Sequence, residues 1–418
     1  MQEIIQAELF KNSEAVLKKA VHLSPSYQAA MKNAHQNFKT LGIPSKKSED
    51  WKYTNIAKNL SPRFYEQKVS LNQDVPQLII DKRGMIIFNN GIFNQFLSVL
   101  PEGCEIESPE LTSDFYDSFD SLNFAVAISP LTLKIQKNTT LDFPMTIVHL
   151  IDETAVNKMV SPRLTIKVGD HSRVSFLEYF TSSNNSTLQY TTNAVTHFFL
   201  NQNSKVEHVK IQSEAQSAIH IGLTKANVAR DANFQSITLD FGILTSRHNL
   251  NIDLNDSGAI TSAHGLFVLK KLDHADIFST ISHKFPNTTS DQLFKGILGG
   301  ESHGVFTGKI LILKDAQKSA SSQLNKNLIL SKKAHIDTRP QLLVHADDVK
   351  CSHGATVGQL SKEEEFYLES RGISAERAKK MLCLGFAMDV LQKIENSSIK
   401  LLAEKLLLEN FQGNDFEI

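Results

Sequence analysis

Cysteine is almost missing from this chain. Three occur in 418 residues, Cys104, Cys351 and Cys383. So sparse and odd a set excludes a disulfide framework and fits a reducing compartment, where a thiol stays free. Neither sign of charge is in excess: 44 basic residues face 45 acidic ones, and the pI is near 7.0. The basic field that a nucleic-acid-binding or membrane-surface protein needs is therefore lacking. Tryptophan occurs once, as Trp51, and aromatics make up 8% of the chain. That is little for the aromatic-lined groove of a polysaccharide lyase or hydrolase. No apolar run approaches the roughly 18–20 residues of a membrane span. The first residues, MQEIIQAELFKNSE, lack the basic start and apolar block of a secretory signal. The expectation is a cytoplasmic protein with neither nucleic acid nor membrane as partner.

What the sequence has in quantity is short strands. From about 121 to 345, runs such as LTLKI, MTIVHLI, VSFLEYF, FQSITLDFG, HNLNIDLN and GKILIL alternate with polar turns. They are rich in Val, Ile, Thr and Phe, as strands are. The turns GDHSRVSF, NQNSKVEH, ARDANFQS and NDSGAITS recur. Counted between Ser172, Ser204, Ala232 and Gly258, the steps are 32, 28 and 26 residues. Such spacing points to a stacked solenoid, each coil burying its apolar face on the next. Thirteen of the fifteen histidines fall between 149 and 353. His171, His197, His208, His220, His248 and His264 show no HxH or HExxH spacing, so they read as surface or hydrogen-bonded residues. The glycine-rich GILGGESHGVFTG (296–308) lacks phosphate-loop spacing and reads as close backbone packing or a bulge. A strand–turn–strand is expected in VPQLIIDKRGMIIFNNGIFN, with Gly84 and Asn90-Gly91 as turn residues.

Helices flank this middle. Ser24, Pro25 and the stripe Tyr27, Ala30, Ala34, Phe38, Leu41 predict a helix over 24–41, stopped by Gly42 and Pro44. A weaker pattern covers 3–20. Trp51 reads as a packing anchor or a partner contact. At the other end, Ser361 with Glu364 forms a capping box and Gly372 ends that helix. Ser374 opens the next, with Ala378, Met381, Leu382, Gly385, Phe386 and Val390 as its stripe. A leucine-rich helix over about 398–410 follows. The expected domains are 1–115, helical with a strand-containing bridge, 116–352, the solenoid, and 353–418, helical. A solenoid has exposed ends and edges, and the terminal helices are expected to cover them.

The chemistry concentrates where strands give way to helices. Thr338 to Gly358 reads TRPQLLVHADDVKCSHGATVG, with Cys351 and His353 two residues apart and so on one face of a strand. A thiolate and an imidazole both bind iron, but two ligands leave a cluster incomplete, since it usually takes four. The plain alternative is a buried filler thiol beside a hydrogen-bonded turn histidine. Asp347 and Asp348 would raise the thiol's pKa if close, and Lys350 would lower it.

DDVKCSHGATVG followed by FYLESRGIS, with EDWKYTNI at 49–56, resembles the SufB/SufD family of iron–sulfur cluster assembly scaffolds, most closely its SufD branch. The resemblance implies a mainly β fold, a right-handed parallel β-helix between helical segments, and a non-catalytic scaffold. It implies a heterodimer with a SufB-like paralogue, and allows a homodimer when isolated. It implies that His353, with Cys351 beside it, faces that paralogue and serves transiently as an iron ligand completed by the partner chain. It implies no cofactor held alone, a transient iron–sulfur cluster at the interface, and allows a reduced flavin in the complex. It implies that the C-terminal helices bind a SufC-like ATPase, with Phe366, Tyr367, Arg371, Met381, Leu382 and Phe386 as contacts. The rival within the family is the SufB-type paralogue, which would bring more cysteines than three.

Overall fold

The recurring polar turns become the corners of a solenoid. The computed structural model describes residues 2–57, 59–66, 80–183 and 187–412. Its middle is two sheets facing each other, and the chain alternates between them strand by strand. In the first sheet Arg173–Ser182, Lys205–Ser213, Asn233–Asp240, Ile260–Leu269, Thr289–Leu298, Ala320–Ile329 and Lys350–Gly358 stack in parallel. In the second, Thr191–Leu200, Ile219–Val228, Thr245–Leu254, His274–His283, His303–Ile312 and His335–Val344 do the same. The result is a parallel β-solenoid of about eight turns.

Many of its corners carry one residue in the left-handed region. Asn203, Asp231 and Asn287 have φ of 56°, 54° and 59°, a conformation that Asn and Asp tolerate better than most residues. Each such residue donates its N–H to the corner of the next coil: Asn203 to Arg230 O at 3.0 Å, Asp231 to Ser257 O at 3.2 Å, Asn287 to Gln317 O at 3.0 Å. The Asn90-Gly91 turn, with φ of 49° and 81°, joins Met85–Asn89 to Ile92–Phe93 in an antiparallel hairpin as expected. The strand expected in VPQLII falls on 75–80, of which 75–79 lie outside the described residues. In GILGGESHGVFTG the expectation of close packing holds. A Cβ on Gly304 would meet Ile336 Cδ1 and Phe267 Cε2 at 2.8 Å.

Two kinds of interior share the space between the sheets. One is apolar and continuous, with Phe176, Phe198, Phe234, Phe267, Phe294 and Phe306 all buried in one cluster. Each buried aromatic side chain contributes on the order of 1.5–3 kcal/mol. The other is polar. Glu178 is fully buried and accepts hydrogen bonds from Thr196 Oγ1 at 2.6 Å, His208 Nε2 at 2.9 Å and His149 Nε2 at 3.1 Å. Glu214 holds His220 Nδ1 at 2.7 Å, and His220 Nε2 lies 2.9 Å from Lys210 Nζ. His248 sits between the hydroxyls of Thr224 and Thr238, at 3.1 and 3.2 Å, so His208, His220 and His248 are hydrogen-bonded but not at the surface, which an internal lumen permits.

Burial alone would raise the pKa of Glu178, but the hydrogen bonds and charge of His149 and His208 outweigh it and hold the carboxyl well below its ordinary value. A depressed carboxylate contributes stability above its unfolded pKa of about 4.3 and loses it as pH falls through the folded value. Glu178→Ala leaves two buried imidazoles without their acceptor. It is expected to destabilise the fold by about 3–5 kcal/mol at neutral pH, with the difference from wild type shrinking in acid. Urea midpoints across pH measure this, and a neutral-pH loss below about 1 kcal/mol would mean the network is not structural.

Helices α1 (Gln2–Lys19) and α2 (Pro25–Leu41) form as expected, with Ser24 Oγ accepting from Tyr27 N and Gly42 in the left-handed region at φ 67°. Helix α3 (Ser118–Val126) lies where the sequence places the start of the solenoid, expected from 116. All nine of its residues are buried, so it shows no amphipathic stripe. Its local signal is the cap, Asp117 accepting from Asp120 N. Trp51 is an anchor: it packs on Phe119, with the Arg247 guanidinium 4.4 Å from its ring centre. These helices share a cluster with Ile219 and Ile221 on the outer face of the second sheet. Helices α4 (Lys362–Ser370), α5 (Ala375–Leu391) and α6 (Ser397–Gln412) complete the chain. The last two cover the outer face of the first sheet, where Leu177, Val209, Ile237 and Leu266 join Cys383, Ala387, Val390 and Leu407. The helices therefore cover the outer faces of the sheets and not, as expected, the solenoid's ends and edges. No helix among the described residues is long and apolar enough to cross a membrane.

Candidate functional site

The last coil consists of His335–Val344 and Lys350–Gly358, and among the described residues each pairs with only one neighbouring strand. One edge of each is left without a strand partner there. Along Ala320–Ile329 the inward residues Ser321, Gln323, Asn325 and Asn327 are buried. Their register mates on the last strand are Cys351, His353, Ala355 and Val357. There only Cys351 is half-buried; the other three are exposed. The side chains point the same way, but no further coil lies over them.

Cys351 and His353 thus share one face, as their spacing requires. Cys351 packs with Ile310, Ile312, Ala316 and Ala346. Burial pushes its thiol pKa up, partly offset by a backbone hydrogen bond with Ser321. Neither Asp347, Asp348 nor Lys350 is among the causes. All three are exposed; Asp347 and Asp348 lie in the turn before the strand that Lys350 opens. At neutral pH Cys351 is a thiol, and binding a metal would require its proton to leave. The other cysteines are less available still, with pKa values raised to about 11 for Cys104 and about 12 for Cys383 by burial. His353 borders a shallow groove with Gln323, Ser322, Asp291 and Lys393. Beneath it the side-chain amides of Gln323 and Gln292 lie buried without a hydrogen-bond partner among the described residues. The arrangement offers one accessible imidazole, one thiol behind it, and a polar floor.

The tail starts beyond the strand, and the Ser361 half of the expected capping box forms: Ser361 Oγ accepts from Glu364 N at 3.3 Å. Phe366 and Tyr367 are 71% and 58% exposed, and the Arg371 guanidinium sits 5.2 Å from the Tyr367 ring centre. Met381 is exposed and Leu382 half-buried. Phe386 instead faces the solenoid, where Lys295 Nζ lies 4.1 Å from its ring centre and donates to its carbonyl at 2.9 Å. The buried positions of α5 are Ala378, Cys383, Ala387, Val390 and Leu391, so the stripe is rotated from the expected one. Apolar residues occur on more than one side of this helix, and sequence alone does not say which side packs. Sequence reading also missed a grouping on the outer face of the second sheet, His303, His335 and Asp337.

Comparison with known proteins adds a direct finding. Residues 149–386 match the SufBD core domain of the SUF system for FeS cluster assembly, and residues 2–83 match the SufBD protein N-terminal region. The chain is 31% identical to an iron–sulfur cluster assembly SufBD family protein of Synechocystis, over 96% of this chain and 95% of that one. It is 27% identical to the iron–sulfur cluster assembly protein SufD of Escherichia coli, over 86% and 87%. It is 26% identical to the chloroplastic protein ABCI7 of Arabidopsis thaliana, over 82% and 74%.

Proposed function

The chain is a SufD-like member of the SufBD family of iron–sulfur cluster assembly proteins, and from this we propose that it is a non-catalytic scaffold subunit. It pairs with a SufB-like paralogue through the open end of its solenoid. It binds a SufC-like ATPase through Phe366, Tyr367, Arg371 and Met381. His353 contributes one ligand to the nascent cluster, and thiolates of the paralogue supply the others, so the cluster is cargo. No cofactor is assigned to the chain alone, and a reduced flavin, where one takes part, belongs to the complex.

The observation that carries this reading is the uncovered last coil. Two adjacent strand edges present unpaired N–H and C=O groups, a template for another chain. On the last strand the interior positions His353, Ala355 and Val357 are exposed, as core positions cut open. A second solenoid continuing the stack would pair both edges and cover these residues at once. The absence of any nucleotide loop in the sequence fits an ATPase supplied by a partner.

Hydrogen exchange on the chain alone and on the complex co-expressed with SufB- and SufC-like partners tests the pairing. Within 335–344 and 350–358, the alternate amides that point to the uncovered edge are expected to exchange fast in the lone chain and to be protected at least tenfold in the complex, a factor that corresponds to about 1.4 kcal/mol, whereas those already bonded to the preceding coil, His335 and Lys350 among them, should change little. Equal exchange in both states would mean the paralogue docks elsewhere.

A further inference from the structure

Stacking in register creates pairs that no local motif announces. His274, His303 and His335 open three successive strands of the second sheet and are direct register partners. They form a ladder on its outer face, with ring centres 4.8 Å and 5.2 Å apart. Asp337 lies two residues after His335 and so on the same face. Its Oδ2 is 2.8 Å from His303 Nε2 and 3.3 Å from His335 Nε2. All three donor atoms lie within 4.8 Å of one another.

We propose that His303, His335 and Asp337 bind one first-row divalent transition metal ion, of the Zn(II), Co(II) or Fe(II) kind. This site is separate from the cluster ligand at His353, which lies on the inward side of the other sheet. An ion about 2.0–2.2 Å from each tetrahedral ligand holds those ligands roughly 3.3–3.5 Å apart. The 3.3 Å separation of Asp337 from His335 already matches that, and the 2.8 Å hydrogen bond to His303 would lengthen by about half an ångström as the ion replaces its proton. Two imidazoles and one carboxylate are the donor set of open zinc sites and of the iron(II) facial triad. They are a poor set for Mg(II) or Ca(II), which take oxygen, and for Cu(I), which takes sulfur.

The neighbours hold the ligands without filling the site. His274 is committed elsewhere, its Nε2 3.0 Å from Thr54 Oγ1. Its ring stands edge-on to His303 and fixes it from one side. The nearby cations are also engaged, Arg247 with Asp276 and Arg339 with Glu49, so neither guanidinium is free to claim Asp337. The open side is at His335, which is 67% exposed against 30% for His303. A fourth ligand, water or a small anion, has access there.

The test uses the tag-free full-length chain carrying Cys351→Ser and His353→Ala, so that the other candidate ligands are silent. Co(II) titrated anaerobically is expected to give visible ligand-field bands that saturate at one ion per chain and vanish when Zn(II) is added. Loss of a residue that merely orients a ligand weakens metal sites some 10–100-fold, so His335→Ala or Asp337→Asn is expected to weaken binding at least as much and to abolish the bands. His335 is exposed, and an unchanged circular dichroism spectrum confirms that its variant is folded. Absence of bands in the parent, or an unaltered titration after His335→Ala, would overturn the proposal and show Asp337 to be only a hydrogen-bond acceptor for two imidazoles.

Discussion

His353→Ala is expected to leave a folded chain that still assembles with its partners but loads about tenfold less iron and sulfide, or worse. The fold should not notice the change. His353 is exposed on a terminal strand, and substitutions at such positions usually stay within about 0.5 kcal/mol. Assembly should survive because strand-edge pairing is a main-chain interaction, indifferent to one side chain. Cluster formation should not survive so well. A cluster usually takes four protein ligands, and removing even a group that only orients a ligand weakens metal sites some 10–100-fold. Cys351→Ser provides the contrast. Its thiol is half-buried against apolar side chains and its pKa is raised, so a smaller loss of loading is expected. Iron and acid-labile sulfide, measured per purified complex, decide both. Wild-type loading in His353→Ala would remove that residue from cluster assembly while leaving the family assignment intact.

The parts of this architecture that follow local rules were legible in the chain. The caps at Ser24, Ser361 and Ser374 and the left-handed Gly42 and Gly372 fall where residue type predicts them. The solenoid was legible because recurring corners carry a left-handed residue and Asn203, Asp231, Gly258 and Asn287 are of the types that mark one, although His171, Lys271 and Lys318 take the same conformation unannounced. What could not be read are relations between coils. His303 and His335 stand 32 residues apart in sequence and are neighbours only through strand register. A signal exists, since both open a strand just after a corner, but it is visible only once the coil length is known. Helix α3 was hidden for the opposite reason: it is buried all round, and periodicity reports only helices with one wet side. The polar lumen belongs with these. Buried His and Glu look like surface residues in a sequence, because burial of charge depends on partners supplied by another coil.

The same distinction between faces and ends decides what truncation of the tail does. Removing 360–418 is expected to give an aggregated or misfolded chain, and not a soluble scaffold blind to its ATPase. Helices α5 and α6 are the outer cover of the first sheet, and deleting them would bare Leu177, Val209, Ile237, Leu266 and Ile297 together. An apolar patch of that kind on a row of parallel strands recruits other chains. Loss of ATPase binding in such a truncation would carry no information about the contact surface. Point variants separate the two roles. Phe366 and Tyr367 are exposed and support no core cluster, so Phe366→Ala with Tyr367→Ala should leave the melting temperature unchanged. If these rings are interface hot spots, each worth about 2 kcal/mol or more, the double variant should weaken ATPase-subunit binding at least 30-fold. Phe386→Ala should behave in reverse. Its ring packs against the solenoid under the Lys295 ammonium, so about 2 kcal/mol of stability should go, with binding changed only in proportion to unfolding. Calorimetric titration of the ATPase subunit into each folded variant reads the outcome. Unweakened binding by Phe366→Ala with Tyr367→Ala would move the contact off helix α4, to the exposed side of α5 around Met381 or beyond.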